Sequence, residues 1–205
     1  MKTYLISFLC FITLASCSNS ASSQQLKSEK LETAYFASGC FWCAEAIFES
    51  LNGVEEVING YSGGHTKNPT YESSNTGKTG HAEAIEVHYN PTTISFETLI
   101  DVYFGSQNPT QINGQGPDKG SQYRSIIFYK NTTQKNTILT KKNALAQKLN
   151  ATIAAEIKPF KKFWIAEDYH QNYERLHPEN PYIKAISIPR LNRFKKKFPN
   201  LINTH

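Results

Sequence analysis

The sequence Ser38-Gly39-Cys40-Phe41-Trp42-Cys43 places two thiols three positions apart, with two aromatic side chains between them. Residues 33–37 before it resemble a strand, and residues 44–51 after it have the apolar spacing of a helix. Cys40 is therefore predicted to lie where a strand passes into the first turn of a helix. The free N–H groups of such a turn stabilise an anion, which favours the thiolate form of a cysteine. We expect Cys40 to be a nucleophile and Cys43 its redox partner.

Three kinds of site contain a Cys-x-x-Cys pair. A structural zinc site requires four ligands, but the chain has no second closely spaced cysteine pair, and His65 and His81 lack a short paired spacing. A static disulfide is compatible with an exported protein, although so small a loop gains little stability from chain entropy. A redox pair accounts for both thiols best, because the second can resolve whatever forms on the first.

Length and composition indicate one domain with a substantial core. The chain has 205 residues, of which 39% are apolar and 12% aromatic, and its formal net charge is +5. Much of the positive charge lies in the last third, as at Arg193 and Lys195. Because no nucleic-acid-binding motif accompanies it, we interpret this charge as a solvated surface and expect no nucleic-acid partner.

The N-terminus has the pattern of an export signal. Residues 4–14 form an apolar run that is short for a membrane span, and Leu14-Ala15-Ser16-Cys17 resembles a bacterial lipobox. We predict a lipoprotein signal over residues 1–17, lipidation at Cys17, a flexible polar tether over residues 18–30 and a catalytic domain over residues 31–205. The alternative is an ordinary cleaved signal in which Cys17 is incidental. The prediction implies an exported, membrane-anchored protein of the bacterial cell envelope, on the periplasmic side.

Hydrophobic periodicity predicts the order of strands and helices. Strands are expected near residues 32–37, 54–61, 83–89, 124–130, 153–157 and 163–166, and helices at 42–51, 96–105 and 132–149, with a helical turn or two within 166–175. This order predicts an α+β fold, a two-layer sandwich with a ferredoxin-like βαββαβ core, helices on one face and a mostly antiparallel sheet. The long C-terminal segment, which contains Pro178, Pro181 and Pro189, is expected to be irregular.

Two long stretches without periodicity, residues 62–82 and 106–122, interrupt this pattern. Such loops are uncommon in compact domains unless they are functional. They contain or border two tyrosines and two carboxylates, namely Tyr71, Glu83, Asp118 and Tyr123. A buried carboxyl group with a raised pKa could donate a proton to an oxygen, and tyrosine hydroxyls could hold that oxygen. Taken singly, these tyrosines could equally be core residues, and an Asp between glycines could be a turn residue.

Seven short blocks together resemble the A-type peptide methionine sulfoxide reductases. They occur in the order of that family, from about residue 33 to residue 175, and each is weak alone. The blocks are Gly39-Cys40-Phe41-Trp42, Gly60-Tyr61-Ser62-Gly63-Gly64, Asn68-Pro69-Thr70-Tyr71, Thr79-Gly80-His81-Ala82-Glu83-Ala84, Gly116-Pro117-Asp118, Gln122-Tyr123-Arg124-Ser125 and Ala166-Glu167-Asp168-Tyr169-His170-Gln171.

The resemblance implies reduction of the S epimer of methionine sulfoxide, free or within oxidised proteins. Cys40 matches the nucleophile that attacks the sulfoxide sulfur and becomes a sulfenic acid. Glu83 matches the carboxyl group that protonates the sulfoxide oxygen, and Tyr71 and Tyr123 match the hydroxyls that bind it.

The resemblance also implies the remaining roles. Asp118 matches a carboxylate that helps to arrange the site, and Phe41 and Trp42 match the aromatic pocket for the S-methyl group. No metal or other cofactor is implied. A monomer is the default expectation for the quaternary state.

The chain departs from the commoner family pattern at Cys43. Many relatives have glycine there and keep resolving cysteines near the C-terminus, whereas no cysteine follows Cys43 here. We expect a Cys40–Cys43 disulfide that a thioredoxin-like reductant reopens. Asn108 and Gly114 also differ from the residues common in the family, which affects loop contacts.

Two rival functions remain open at the sequence level. A general thiol–disulfide oxidoreductase would use the Cys-x-x-Cys pair alone, but it leaves the two polar loops unexplained. A lipid-tethered binding module with a structural disulfide would function without Cys40.

Overall fold

The structure is a computed structural model that describes residues 30–203. Residues 1–29 lie outside this described part, and with them Cys10, the predicted lipidation site Cys17 and nearly all of the predicted tether. Within residues 30–203, no helix combines the length and the apolar character needed to cross a bilayer.

Eight strands and six α-helices occur along the described chain. The strands are β1 Glu32–Ala37, β2 Val54–Ser62, β3 Ala82–Tyr89, β4 Gly114–Gln115, β5 Asp118–Lys119, β6 Ile126–Tyr129, β7 Glu156–Pro159 and β8 Phe163–Ile165. The helices are α1 Phe41–Glu49, α2 Tyr71–Asn75, α3 Phe96–Gly105, α4 Thr132–Leu149, α5 Tyr173–Leu176 and α6 Ile188–Lys197.

A six-stranded sheet with the order β7-β6-β1-β3-β2-β8 forms the centre of the molecule. Every neighbouring pair is antiparallel except β6 with β7, which is parallel. The units β1-α1-β2-β3-α3-β6 supply the predicted βαββαβ core, and its strands lie in the order β6-β1-β3-β2. The predicted α+β, ferredoxin-like fold and mostly antiparallel sheet are therefore confirmed.

The alternation of β1 explains why the sheet has a helical face and a second apolar face. Phe36 points toward the helices and stacks on Phe48 of α1, with ring centroids 5.0 Å apart. Tyr35 points the opposite way and stacks on Phe160 at 3.7 Å. Both faces of the central strand are thus buried, which fixes its pairing register because a one-residue slip would exchange the two sets of side chains.

The two loops expected to lack regular structure contain short elements. The first includes α2, whose N-cap Thr70 forms a reciprocal capping box with Ser73. The second includes the β4–β5 hairpin and a 3₁₀ turn at Ser121–Tyr123. Predicted strand 153–157 is displaced to β7, Glu156–Pro159. Elements this short leave no periodicity for sequence analysis to detect.

The expectation of an irregular C-terminal segment is wrong. A π-helical turn, Ile183–Ser187, runs directly into α6. Pro189 directly follows the π-helical turn, where the regular α-helical hydrogen-bond pattern is already interrupted, so its missing N–H is tolerated there. Phe194, on the inner side of α6, is buried in the same hydrophobic core as the apolar residues of α1. The proline-containing segment therefore includes a helix that packs on the core.

Gly60→Ala is expected to destabilise the fold by about 1–3 kcal/mol. A Cβ at this position would lie 2.3 Å from the carbonyl oxygen of Trp164 and 2.4 Å from the ring of Phe163, forcing β2 and β8 apart. Urea unfolding measures the loss. The exposed Glu55→Ala variant on the same strand is the control and should change stability by less than about 0.5 kcal/mol. Equal stability of the two variants would contradict the close approach.

Candidate active site

Cys40 is the N-cap of α1, at the junction of strand and helix that the sequence predicted. Gly39 before it has φ of +80°, and a Cβ there would lie 2.5 Å from Cβ of Gln115. Only glycine therefore allows the turn to pack against the second loop. The Cys40 side chain makes no capping hydrogen bond, which leaves the first N–H groups of α1 to other acceptors.

Glu83 provides one of those acceptors. Its Oε2 accepts a hydrogen bond from the backbone N–H of Phe41 at 3.0 Å, so a carboxyl of β3 lies against the first turn of α1. Only 2% of Glu83 is exposed. Burial raises its pKa to about 8, against the opposing effect of the Phe41 N–H. Glu83 is thus neutral at pH 7 and able to donate a proton, which is what the predicted acid requires.

The predicted substrate and acid residues line one cavity of about 250 Å³. Its walls combine a thiol, a carboxyl group, hydroxyls and aromatic rings. The lining residues are Cys40, Phe41, Trp42, Tyr71, Glu83, Asp118, Tyr123, Asn180 and Tyr182. Residues far apart in the chain meet here. Of the residues predicted to form the substrate pocket or the redox pair, only Cys43 does not line this cavity.

The two predicted tyrosines enter the cavity from the two polar loops. Tyr71 begins α2, and its backbone N–H donates to Oε1 of Glu167 at 2.9 Å, which fixes the start of that helix. Tyr123 ends the 3₁₀ turn of the second loop. Burial raises the pKa of both phenols, and the nearby Glu83 adds to the effect. Both hydroxyls therefore keep their protons and can donate hydrogen bonds to an oxygen atom.

Trp42 is held rigidly at the edge of the cavity. Its ring stacks on Tyr173 with centroids 3.8 Å apart and an angle of 8°. Its indole N–H donates to Nδ1 of His170 at 3.2 Å. The ring of buried Phe41 lies 4.8 Å from that of His170. The predicted aromatic wall is therefore fixed by residues from the 166–171 block and the segment after it.

Asp118 acts through a tyrosine that sequence analysis missed. The hydroxyl of Tyr182 donates to Oδ2 of Asp118 at 2.6 Å and lies 3.7 Å from Sγ of Cys43. Burial raises the pKa of Asp118, while the Tyr182 hydrogen bond and the charge of Arg190 oppose the change. Asp118 thus orients the Tyr182 hydroxyl, which lies near Cys43, and Tyr182 also lines the cavity.

The surroundings of the two thiols differ. Burial raises the pKa of Cys40 well above its usual range, and the neighbouring Cys43 adds to the increase. The pKa of Cys43 is lowered to about 6, first by a hydrogen bond from Cys40 and then by Arg190, Ser187 and Tyr182, against the effect of burial. These surroundings favour the proton on Cys40 and the negative charge on Cys43, opposite to the resting Cys40 thiolate that the helix start predicts.

The residues that sequence analysis missed differ in how they could have been found. Glu167 and His170 lie within the 166–171 block, so the block itself was the signal; Glu167 accepts hydrogen bonds from both Tyr61 and Tyr71. Tyr182 and Arg190 belong to the segment expected to be irregular, and no sequence pattern points to them.

Metal ligands are not grouped in the described part of the chain. Within residues 30–203, no three His, Cys, Asp or Glu side chains lie close enough to hold a metal ion. Cys40 and Cys43 are both present as free, buried thiols.

Comparison with known proteins gives one consistent result. Residues 32–202 match the family model "Peptide methionine sulfoxide reductase". Peptide methionine sulfoxide reductase MsrA of Pasteurella multocida is 44% identical over 170 residues, which cover 83% of this chain and 98% of the relative. Reduced Mxr1 of Saccharomyces cerevisiae matches with a TM-score of 0.70 and 34% identity, over 74% of this chain and 88% of that one. Mxr1 in complex with Trx2 matches at 0.51 and 23% identity, over 74% and 91% of the chains, a likeness of fold alone.

Glu83→Gln is expected to change how stability depends on pH. The carboxyl has a pKa near 4.5 when exposed and about 8 when folded, so the folded state binds the extra proton between these values. The wild type should therefore lose stability as pH rises through this window, whereas a glutamine cannot titrate. The stability difference, variant minus wild type, should grow by at least about 1 kcal/mol from pH 5 to pH 9.

Urea unfolding at several pH values measures this difference. Glu55→Gln, which removes an exposed carboxyl, is the control and should follow the wild type. A difference for Glu83→Gln that stays constant from pH 5 to pH 9 would show that Glu83 is already ionised when folded.

Proposed function

The chain belongs to the peptide methionine sulfoxide reductase family, and from this premise we propose how its pocket performs the reaction. The protein is a peptide-methionine (S)-S-oxide reductase that returns oxidised methionine, free or in proteins, to methionine and so repairs oxidised proteins. The observation that carries the assignment of roles is the neutral, buried Glu83 in the same cavity as the Cys40 thiol. A sulfoxide is a weak electrophile until its oxygen is protonated, and this pairing supplies both the acid and the nucleophile.

In the first step, Cys40 attacks the sulfoxide sulfur while the oxygen is protonated. The hydroxyls of Tyr71 and Tyr123 hold the oxygen, and Glu83 donates its proton to it. The Cys40 proton passes to the Cys43 thiolate, the base to which Cys40 is already hydrogen-bonded. The S–O bond breaks as the oxygen moves to Cys40, so methionine is released and Cys40 carries a sulfenic acid, oxidised by two electrons.

In the second step, Cys43 attacks the sulfur of the Cys40 sulfenic acid. The new S–S bond displaces the hydroxyl group, which takes the Cys43 proton and leaves as water. Glu83 regains its proton from solvent, so the sum is one sulfoxide, one thiol, one thiolate and one proton giving methionine, one disulfide and one water. The neighbouring position of both thiols in the first turn of α1 supports this pairing.

A thioredoxin-like protein recycles the enzyme in this proposal. Reduction of the disulfide requires two electrons, which a dithiol protein supplies by thiol–disulfide exchange. Mxr1, a protein of similar fold, has been solved in complex with Trx2. We take the enzyme to work as a monomer.

Membrane attachment through the N-terminus is part of the same proposal. The apolar run at residues 4–14 and the lipobox ending at Cys17 support a lipoprotein signal, and the polar residues 18–30 support a tether. The family match begins only at residue 32. The catalytic domain of residues 31–205 would then act at the cell envelope, on oxidised exported proteins.

Assays on the separated sulfoxide epimers test the chemistry. The wild type should reduce only the S epimer, and Cys40→Ser should be inactive. Cys43→Ser should release about one methionine per enzyme and then stop with a thioredoxin-like reductant, because its sulfenic acid has no internal partner. Quenched-flow counting of methionine checks each result. Activity of Cys40→Ser would favour a binding or other function, and sustained turnover of Cys43→Ser would remove the resolving role.

Fractionation of cells tests the membrane proposal. The wild-type protein should sediment with membranes, and Cys17→Ala should be found in the soluble fraction because it lacks the lipidated cysteine. Cys10→Ala, in the part of the signal that would be discarded, is the matched control and should leave fractionation unchanged. Membrane association of Cys17→Ala equal to that of the wild type would contradict lipidation.

A further inference from the structure

A second and larger cavity borders Cys43. Its volume is about 590 Å³, within the range of pockets that hold small molecules. Cys43 lines this cavity and Cys40 does not. The smaller cavity described above, which we call the sulfoxide cavity, is lined by Cys40 and not by Cys43. Asp118 lies in the wall of both. Each thiol of the pair thus faces a different opening.

The lining of this second cavity is strongly basic. Arg190, Arg193 and Lys197 of α6 all line it, and Asp118 is the carboxylate among its lining residues. Among residues 30–203, no carboxylate forms an ion pair with any of these three cations. We refer to the space bounded by Cys43, Asp118 and these three cations as the basic cavity.

Arg190 is the most constrained of the three cations. It is only 9% exposed, and its guanidinium donates to the Ser106 carbonyl at 3.0 Å, the Ser38 carbonyl at 3.1 Å and the Ser38 hydroxyl at 3.3 Å. These acceptors are uncharged, but the positive charge of Arg190 also lowers the pKa of Cys43 and of Asp118 against the effect of burial. Arg190 therefore favours negative charge at the wall of this cavity.

We propose that the basic cavity binds a low-molecular-weight thiol bearing carboxylates, and that this thiol opens the Cys40–Cys43 disulfide by attacking Cys43. The inference rests on the proposed function only for the origin of that disulfide. It adds a second source of electrons beside the thioredoxin-like protein.

The positions of the thiols determine the direction of attack. In thiol–disulfide exchange a thiolate attacks one sulfur and displaces the other through a mixed disulfide, and the attacking sulfur approaches opposite the leaving one. A thiolate in the basic cavity meets Cys43, which lines this cavity, and not Cys40, which lines the other one. Its attack forms the carrier–Cys43 bond, and Cys40 leaves with the proton of the carrier thiol, because burial raises the pKa of Cys40 well above its usual range.

A second thiolate then completes the reduction. It attacks the carrier sulfur of the mixed disulfide, which gives the oxidised carrier and frees the Cys43 thiolate beside Arg190. Two carrier thiols are oxidised and one protein disulfide is reduced, so the two electrons balance. Cys43 is only 2% exposed at the base of this concavity. A slender small molecule can reach it there more readily than a sulfur on the surface of a folded protein.

The test compares two thiols that differ only in carboxylate charge. Oxidised enzyme is reduced with glutathione or with glutathione diethyl ester, and the free thiols are counted over time at equal thiolate concentration. At low ionic strength glutathione should react about tenfold faster with the wild type. The advantage should disappear in high salt, because screening weakens the attraction. Equal rates for the two thiols at low salt would overturn the proposal.

Charge variants on one helix locate the effect. Arg193→Met with Lys197→Met should abolish the preference for glutathione. Lys195→Met with Lys196→Met removes the same charge from exposed positions of α6 that do not line the cavity, and should preserve the preference. Dithiothreitol, which is neutral, should reduce all four proteins tested (wild type, both double variants and Glu55→Gln) at similar rates. Loss of the preference in both double variants would contradict a site in the basic cavity.

Mass spectrometry of the quenched reaction identifies the attacked sulfur. The mixed disulfide with glutathione should be found on Cys43, and its appearance on Cys40 would overturn the proposed direction. The disulfide can be formed with diamide as well as by sulfoxide turnover. The test of the basic cavity therefore remains decisive even if the sulfoxide chemistry fails.

Discussion

The hydrogen bond from the Phe41 N–H to Glu83 is the constraint on which the site depends. It joins the first turn of α1 to β3, and so places a carboxyl beside a thiol that lies far from it in sequence. Phe41 is the first residue of α1, so its N–H has no acceptor within the helix and requires one outside it. Burial of Glu83 raises its pKa. The carboxyl group that accepts the hydrogen bond at the start of α1 is therefore also the neutral acid that the reaction needs.

The C-terminal segment supplies the second set of constraints. Tyr182 reaches Asp118 and the vicinity of Cys43, and Arg190 joins the Ser38 turn to the end of α3. These contacts distinguish two thiols that belong to the same helical turn. Cys43 receives the stabilising hydrogen bonds and the positive charge, whereas Cys40 receives mainly the effect of burial. The chain end thus determines which thiol holds the proton.

The two cavities divide the catalytic cycle between the two sides of one helical turn. The sulfoxide cavity contains the acid, the hydroxyls and the aromatic wall. The basic cavity contains three cations and is contiguous with Cys43. An oxidised substrate and a reducing thiol need different environments, one with a neutral acid and one that attracts anions. Two openings allow a single Cys-x-x-Cys pair to serve both without either ligand displacing the other.

The sequence by itself determined the core of the fold and most of the cavity's residues. Period-two and helical spacings are local properties, so β1, α1, β3 and the βαββαβ order could be predicted from them, as could the place of Cys40 at a helix start. Short elements such as α2, and α6 with its prolines, escaped prediction because their stability comes from docking. Only the tertiary structure decided which thiol carries the charge, since that depends on burial and on Arg190, which bonds to a residue 152 positions away. Electrostatic environments are set by the neighbours a residue acquires in space, and sequence spacing alone does not contain them.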